Sequence, residues 1–179
     1  MQLVADKQQI DLASYIRAIQ DWPRPGILFR DITPLLADSK AFRAAVDALI
    51  RDYLGQSIDY VAAIEARGFI FGSAAADRLK VGFVPIRKTG KLPYKTQRIT
   101  YQLEYGTDSL EVHVDAFNKG ARILLIDDLL ATGGTMAAAC RLVEGLGGKV
   151  VGISFLVELT ELKGRDRLAR YKVTSAIQY

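Results

Sequence analysis

Several chemistries are excluded by what this sequence lacks. It has one cysteine, Cys140, so no internal disulfide can form, and a reducing cytoplasm suits it. Cys140 lies among alanines in an expected helix, where a packing residue is a better reading than a reactive thiol. The one histidine, His113, falls in an expected strand and reads as a surface residue. Without it no Ser-His-Asp site can be assembled. No apolar run approaches the ~18 residues a membrane helix needs. The start, Met-Gln-Leu-Val-Ala-Asp-Lys, shows neither the basic nor the apolar region of a secretory signal. Repeats, low-complexity tracts and domain-dividing linkers are missing too. The net charge is only +4, with acids and bases interspersed, so the clustered basic face of a nucleic-acid binder is not there. The 179 residues, half of them apolar, suit one domain, residues 1–179, with one sizeable core.

The most informative segment is Ile123-Leu124-Leu125-Ile126-Asp127-Asp128-Leu129-Leu130-Ala131-Thr132-Gly133-Gly134-Thr135. Its apolar start reads as a buried parallel strand. Two adjacent carboxylates follow, then a turn of hydroxyls and glycines that lets backbone N–H groups approach an anion. Met136 to Leu146 reads as a helix, whose N-terminus favours negative charge. A phosphate would sit at the turn, and the carboxylates could accept hydrogen bonds from vicinal hydroxyls. The unit suits a sugar carrying a 5-phosphate. The bland alternative, an acid pair capping the next helix, does not account for the glycine turn. A dinucleotide-binding fingerprint fails as well, because here the glycines follow the acids.

Elsewhere the pattern alternates. Asp11–Ile19 has helical spacing and stops at Trp22-Pro23-Arg24-Pro25-Gly26. A helix over Ser39–Leu54, with Ser39 as its cap, precedes a short strand, Tyr60–Ile64. Gly68–Leu79 reads as a helix and Val81–Ile86 as a strand. Ile99–Tyr105 and Ser109–Val114 form a hairpin arm about Gly106-Thr107-Asp108, and Val150–Val157 is the last strand. Such repetition implies an α/β fold, a parallel sheet flanked by helices on both faces, with ligands at the carboxyl ends of the strands. Glu65, Arg87, Asp127 and Asp128 fall at or just beyond those ends. Glu65-Ala66-Arg67-Gly68 is a second anion-binding turn, or simply a surface arginine after a strand. Arg87, Lys88, Lys91, Lys95 and Arg98, set among Gly90 and Pro93, read as a cationic flap rather than a solvated loop.

From about Trp22 to Tyr179 the chain resembles the type I phosphoribosyltransferases, in particular their adenine-using branch. The resemblance is carried by Pro25–Ile32, Arg67-Gly68-Phe69, Ile86-Arg87-Lys88 with Gly90-Lys91-Leu92-Pro93, and Leu103-Glu104-Tyr105-Gly106. Asp127–Thr135, Leu156–Thr160 and Leu162-Lys163-Gly164-Arg165 complete it. It implies that fold with a small N-terminal hood, about residues 1–36, and a flexible hairpin arm, about residues 88–115. It also implies transfer of a phosphoribosyl group from 5-phosphoribosyl 1-diphosphate to N9 of adenine, giving AMP and diphosphate.

The resemblance assigns roles. Asp127 and Asp128 bind the ribose hydroxyls, directly or through Mg²⁺, and the backbone from Ala131 to Thr135 (Ala131, Thr132, Gly133, Gly134, Thr135) holds the 5-phosphate. Arg67 contacts diphosphate from a turn with a cis peptide between Glu65 and Ala66. Arg87, Lys88 and Lys91 neutralise the leaving group, across a homodimer interface if one forms. Glu104, at the arm tip, accepts the N9 proton or stabilises the cationic sugar, and Tyr105 shields C1 from water. Leu28 reads the adenine edge through its backbone, Phe29 packs on the base and Arg30 orients it. Relatives that use 6-oxopurines carry an aspartate where this chain has Ala131, which argues for adenine. The rivals are transfer to another base and a non-catalytic phosphoribosyl diphosphate sensor. Sensors of that kind add a DNA-binding domain, for which the ~35 residues before the core are too few.

Overall fold

The structure, a computed structural model, describes residues 10–102 and 106–179. Its backbone contacts group into two compact units, one ending at Ala45 and one spanning Val46–Tyr179.

In the first unit the expected helix over residues 11–19 is absent. Asp11 caps a single 3-10 turn, Leu12–Tyr15, by accepting the Ala13 N–H, and Ile16 is already extended. β1 (Arg17–Gln20) pairs antiparallel with β2 (Leu28–Asp31). The same apolar spacing serves this hairpin, because Pro23, Pro25 and Gly26 turn the chain back on itself. Asp21 and Gly26 both take positive φ there, and the Gly26 N–H donates to Asp21 Oδ1 at 2.7 Å. Asp31 gathers the Thr33 N–H, the Thr33 hydroxyl and Arg17. The Thr33 N–H, against the opposing effect of burial, leads in holding its carboxyl below the usual range. α1 (Thr33–Ala37) follows, unanticipated, and then α2 (Ser39–Ile50). The cap of α2 is Asp38 and not Ser39: Asp38 Oδ1 accepts the Lys40 and Ala41 N–H groups at 2.9 and 2.8 Å.

The second unit is built on a seven-stranded sheet in the order β5-β6-β4-β3-β7-β8-β9. β3 (Tyr60–Ile64), β4 (Gly82–Lys88), β7 (Arg122–Leu130), β8 (Lys149–Glu158) and β9 (Val173–Gln178) run parallel. β5 (Thr96–Gln102) and β6 (Thr107–His113) form the antiparallel arm and join the edge at β4. α3 (Arg67–Leu79) covers one face, where Gly72 is so close to Ala63 that a Cβ would lie 2.5 Å from that residue's own Cβ. α4 (Gly134–Gly145) covers the other, its Ala138, Cys140 and Val143 clustering with Ile64, Ile86 and Leu125. The parallel sheet with helices on both faces is therefore present as expected. β9 was not anticipated; it covers the outer edge of β8 and leaves that strand buried along most of its length. His113 is half-buried, with its ring edge-on to Tyr94.

The chain leaves β3 for β4 on one side and returns as β7 on the other. That reversal opens a crevice at the carboxyl ends of β3 and β7.

Candidate active site

The crevice is a cavity of about 550 Å³ that extends from the turn after β3 to the turn after β7. β7 stops pairing with β3 at Ile126 but continues beside β8 to Leu130. Asp127 and Asp128 therefore emerge where one neighbouring strand has ended. Asp127 Oδ1 accepts the Asp128 N–H at 2.9 Å, and Asp128 Oδ2 lies 2.6 Å from Arg67 Nε. Burial first, then the charge of Asp128, raises the Asp127 carboxyl well above its usual range. Asp128 is raised by burial too, and the Arg67 guanidinium offsets part of that. Gly68 makes this proximity possible. A Cβ there would stand 2.6 Å from Asp127 Oδ1, so only glycine lets the start of α3 approach the acid pair.

The second turn depends on glycine more strictly. Gly133 has φ +79°, and a Cβ on it would collide with the Gly164 carbonyl. Gly164 in turn presses against the Ala131 carbonyl. The Ala131–Gly133 turn is thus wedged against a second backbone segment. α4 begins right after it with no side-chain cap, so its first N–H groups have no partner within the helix. Those N–H groups, with Thr132 and Thr135 beside them in the lining, suit an oxyanion.

Glu65 and Ala66 are joined by a cis peptide, as expected. Glu65 accepts the Lys88 N–H at 2.6 Å and Arg87 Nη2 at 3.0 Å. Burial would raise its carboxyl, but these donors outweigh burial and hold it low. Lys88 lines the cavity, its Nζ 2.7 Å from Asp108 Oδ2. Arg87 is turned toward Glu65 and the Lys91 carbonyl, and neither it nor Lys91 is in the lining. Glu111, almost fully buried, gathers the N–H groups of Gly90, Lys91 and Leu92.

The cavity thus brings together Arg67, Lys88 and the whole Asp127–Thr135 run. Glu104 and Tyr105 lie outside the described residues. Leu28, Phe29 and Arg30 belong to the first unit. There Leu28 is exposed, as are Trp22 and Ile27, and the Phe29 ring packs edge-on to Trp22 at 4.4 Å. Two polar residues of the lining are not predicted from the sequence, Tyr101 and Asp108, which face each other across β5 and β6. Arm alternation alone does not distinguish them from their neighbours. Gly164 was noticed only as part of a motif; its packing role depends on a contact about thirty residues distant in sequence. Among the described residues no group of three or more His, Cys, Asp or Glu side chains could hold a metal ion.

This arrangement, an acid pair and a glycine turn at the reversal of a parallel sheet, defines a class, and residues 35–178 match the family model of the phosphoribosyl transferase domain. A curated adenine phosphoribosyltransferase from Chloroflexus aurantiacus is 58% identical, covering 94% of this chain and 98% of its own. The solved adenine phosphoribosyltransferase from Thermoanaerobacter pseudethanolicus has a TM-score of 0.91 at 53% identity, over 94% of this chain and 98% of that one. The Saccharomyces cerevisiae adenine phosphoribosyltransferase, solved with D-2,5-dideoxy-2,5-imino-altritol 1,6-bisphosphate and adenine, has a TM-score of 0.87 at 38% identity, covering 92% and 96%. The chain belongs to the adenine phosphoribosyltransferase family.

Proposed function

We propose that this chain transfers the 5-phosphoribosyl group of 5-phosphoribosyl 1-diphosphate to N9 of adenine, giving AMP and diphosphate in purine salvage. The observation that carries the reading is the Asp127–Thr135 turn, a half-buried and a buried carboxylate leading into an uncapped helix start at the sheet's reversal. The C1–oxygen bond to diphosphate breaks as N9 bonds to C1, and the base sheds its N9 proton. Charge on the ribose peaks between those events, so catalysis requires a held sugar, a neutralised leaving group and exclusion of water.

Asp127 and Asp128 accept hydrogen bonds from the ribose 2- and 3-hydroxyls, and the protons on those hydroxyls relieve the crowding of two adjacent acids. Thr132, Thr135 and the N–H groups of the turn hold the 5-phosphate. Arg67 and Lys88 face the diphosphate; Arg87 and Lys91 meet it across a homodimer interface. Glu104 takes the N9 proton, Tyr105 covers C1, and Leu28, Phe29 and Arg30 seat the base. Mg²⁺, if bound with the diphosphate, would neutralise part of its charge. The acid pair fits such an ion only through substrate oxygens or water, because Asp128 already bonds to Arg67 and no third acid joins them among the described residues. No helix of the described residues is long and apolar enough to cross a membrane, and cytoplasmic residence accords with that.

Incubation with labelled adenine, 5-phosphoribosyl 1-diphosphate and Mg²⁺ tests the reading, with hypoxanthine, guanine and xanthine as competitors. Labelled AMP is the expected product, little affected by competitors. Its absence would overturn the enzyme, and preference for a competitor would overturn the base. For Glu104→Ala, kcat should fall by about a hundredfold with little change in KM; a pure KM effect would remove it from the chemistry.

A further inference from the structure

Among the described residues six ionisable side chains line the cavity, and acids outnumber bases: Glu65, Asp108, Asp127 and Asp128 against Arg67 and Lys88. The ligand assigned above is a polyanion. Both cations, moreover, already have a carboxylate close by. Arg67 is 2.6 Å from Asp128, and Lys88 is 2.7 Å from Asp108. Three of the four acids have an evident task. Asp127 and Asp128 face the ribose in the reading above, and Glu65 is turned toward Arg87 and the Lys88 backbone.

Asp108 has none. It stands on the arm strand β6, directly across the ladder from Tyr101. Its Oδ1 accepts the Ser109 N–H at 2.8 Å, while Oδ2 takes Lys88 Nζ and, at 3.4 Å, the Tyr101 hydroxyl. The Lys88 side chain is 57% exposed, so its ammonium sits at the water's edge, where it can exchange one anionic partner for another. The Asp108 side chain, at 22% exposure, is held in the wall.

We propose that Asp108 is a resident counter-ion for Lys88, displaced from it by the diphosphate of substrate and product, and that it thereby limits how tightly the cavity holds diphosphate. Binding must break the Lys88–Asp108 pair, and it then leaves a carboxylate near the incoming anion. Both effects weaken binding, and in a partly buried site like charges repel more strongly than in water. The carboxylate also keeps Lys88 firmly protonated, its ammonium held above the usual lysine range by the Asp108 hydrogen bond. The lysine is therefore ready as a cation whenever diphosphate arrives. A site built for maximal affinity would not carry Asp108; one that must release diphosphate on each turnover gains from it.

The inference rests on the phosphoribosyl-transfer reading for its ligand, and its test is arranged to fail separately. Asp108→Asn keeps the shape and an acceptor for the Ser109 N–H while deleting the charge. Calorimetry with diphosphate and Mg²⁺, in the absence of adenine, should show Kd about tenfold lower than in the wild type. The KM for 5-phosphoribosyl 1-diphosphate should fall in the same direction, and that for adenine should stay constant. A merely structural arm residue would loosen the site when changed, so unchanged or weaker diphosphate binding overturns the proposal. In a Lys88→Met background the same substitution should tighten binding much less; equal tightening in both backgrounds would show that Asp108 does not act through Lys88. Melting of the unliganded variants checks folding, with Asp108→Ala as the alternative if the asparagine form melts early. A wild type that binds diphosphate but makes no AMP would sink the functional reading and leave the counter-ion exchange standing.

Discussion

Two acidic sites sit at the ends of neighbouring parallel strands and have opposite electrostatics. At the end of β8, Glu158 is buried, yet Arg165 grips it with Nε at 2.6 Å and Nη2 at 2.7 Å, and Ser175 and Gln178 donate as well. Those bonds, led by Arg165, hold its carboxyl below the usual range. One strand over, Asp127 and Asp128 are held above it by burial and by each other, with Arg67 as a partial offset. Glu158 and Asp128 are both buried, and Asp127 beside them is half-buried. The difference is that the protein supplies enough donors for Glu158 and too few for the aspartates. An acid satisfied by its own chain serves the fold, and an acid pair left short of donors is built for a ligand that brings them.

The largest expected effect breaks the ligand side of that contrast. Gly133→Val puts a side chain into the Gly164 carbonyl at a backbone angle a branched residue rarely adopts. The turn should be displaced and kcat/KM for 5-phosphoribosyl 1-diphosphate should fall by about a thousandfold or more. Steady-state kinetics check this, and a loss under about tenfold would mean the turn does not hold the phosphate. Next comes Asp128→Ala, which removes one proposed ribose acceptor and the ion pair to Arg67. Calorimetry should show AMP bound about ten- to a hundredfold more weakly; unaltered affinity would remove Asp128 from the site.

The smallest effects sharpen the comparison through pH. Glu158 has a lowered carboxyl in the folded state, so its contribution to stability is present above the ordinary glutamate value of 4.5 and is lost as pH falls below it. Glu158→Gln should therefore cost about 1–2 kcal/mol at neutral pH, less than a fully buried pair because Arg165 is partly exposed. That cost should shrink in acid. Asp127 has a raised carboxyl, so the folded chain holds a proton the unfolded chain releases, and stability declines as pH climbs past the ordinary aspartate value of 3.8. Asp127→Asn should then melt above the wild type at neutral pH and converge with it in acid, while losing activity. Urea or thermal melts across pH check both slopes. Slopes of the same sign would dissolve the distinction between the two sites.

Much of this was legible in the sequence where local pattern and tertiary environment agree. The apolar run before Asp127 could only be a buried strand, and the small residues of Gly68–Leu79 fit a helix lying close on a sheet; both are found. Asp127–Thr135 stood out because acids, hydroxyls and glycines occur together within one turn. The misreadings have a common cause, long-range contact. Residues 11–19 carry apolar spacing that suits a helix, but Arg17–Gln20 pairs with a strand beyond two prolines. β9 has few large apolar residues and forms because the edge of β8 is open to it. Ser39 and Asp38 are both good caps, and only geometry decides between them. Tyr101, Asp108 and Gly164 become part of the site through contacts that no window of adjacent residues contains.

The measurement that bears most directly on the account is a crystal structure of the protein with AMP. The ribose hydroxyls should lie within hydrogen-bonding reach of the Asp127 and Asp128 carboxylates, with the 5-phosphate seated on the N–H groups between Ala131 and Thr135. A nucleotide whose phosphate occupies any other part of the molecule would contradict the account.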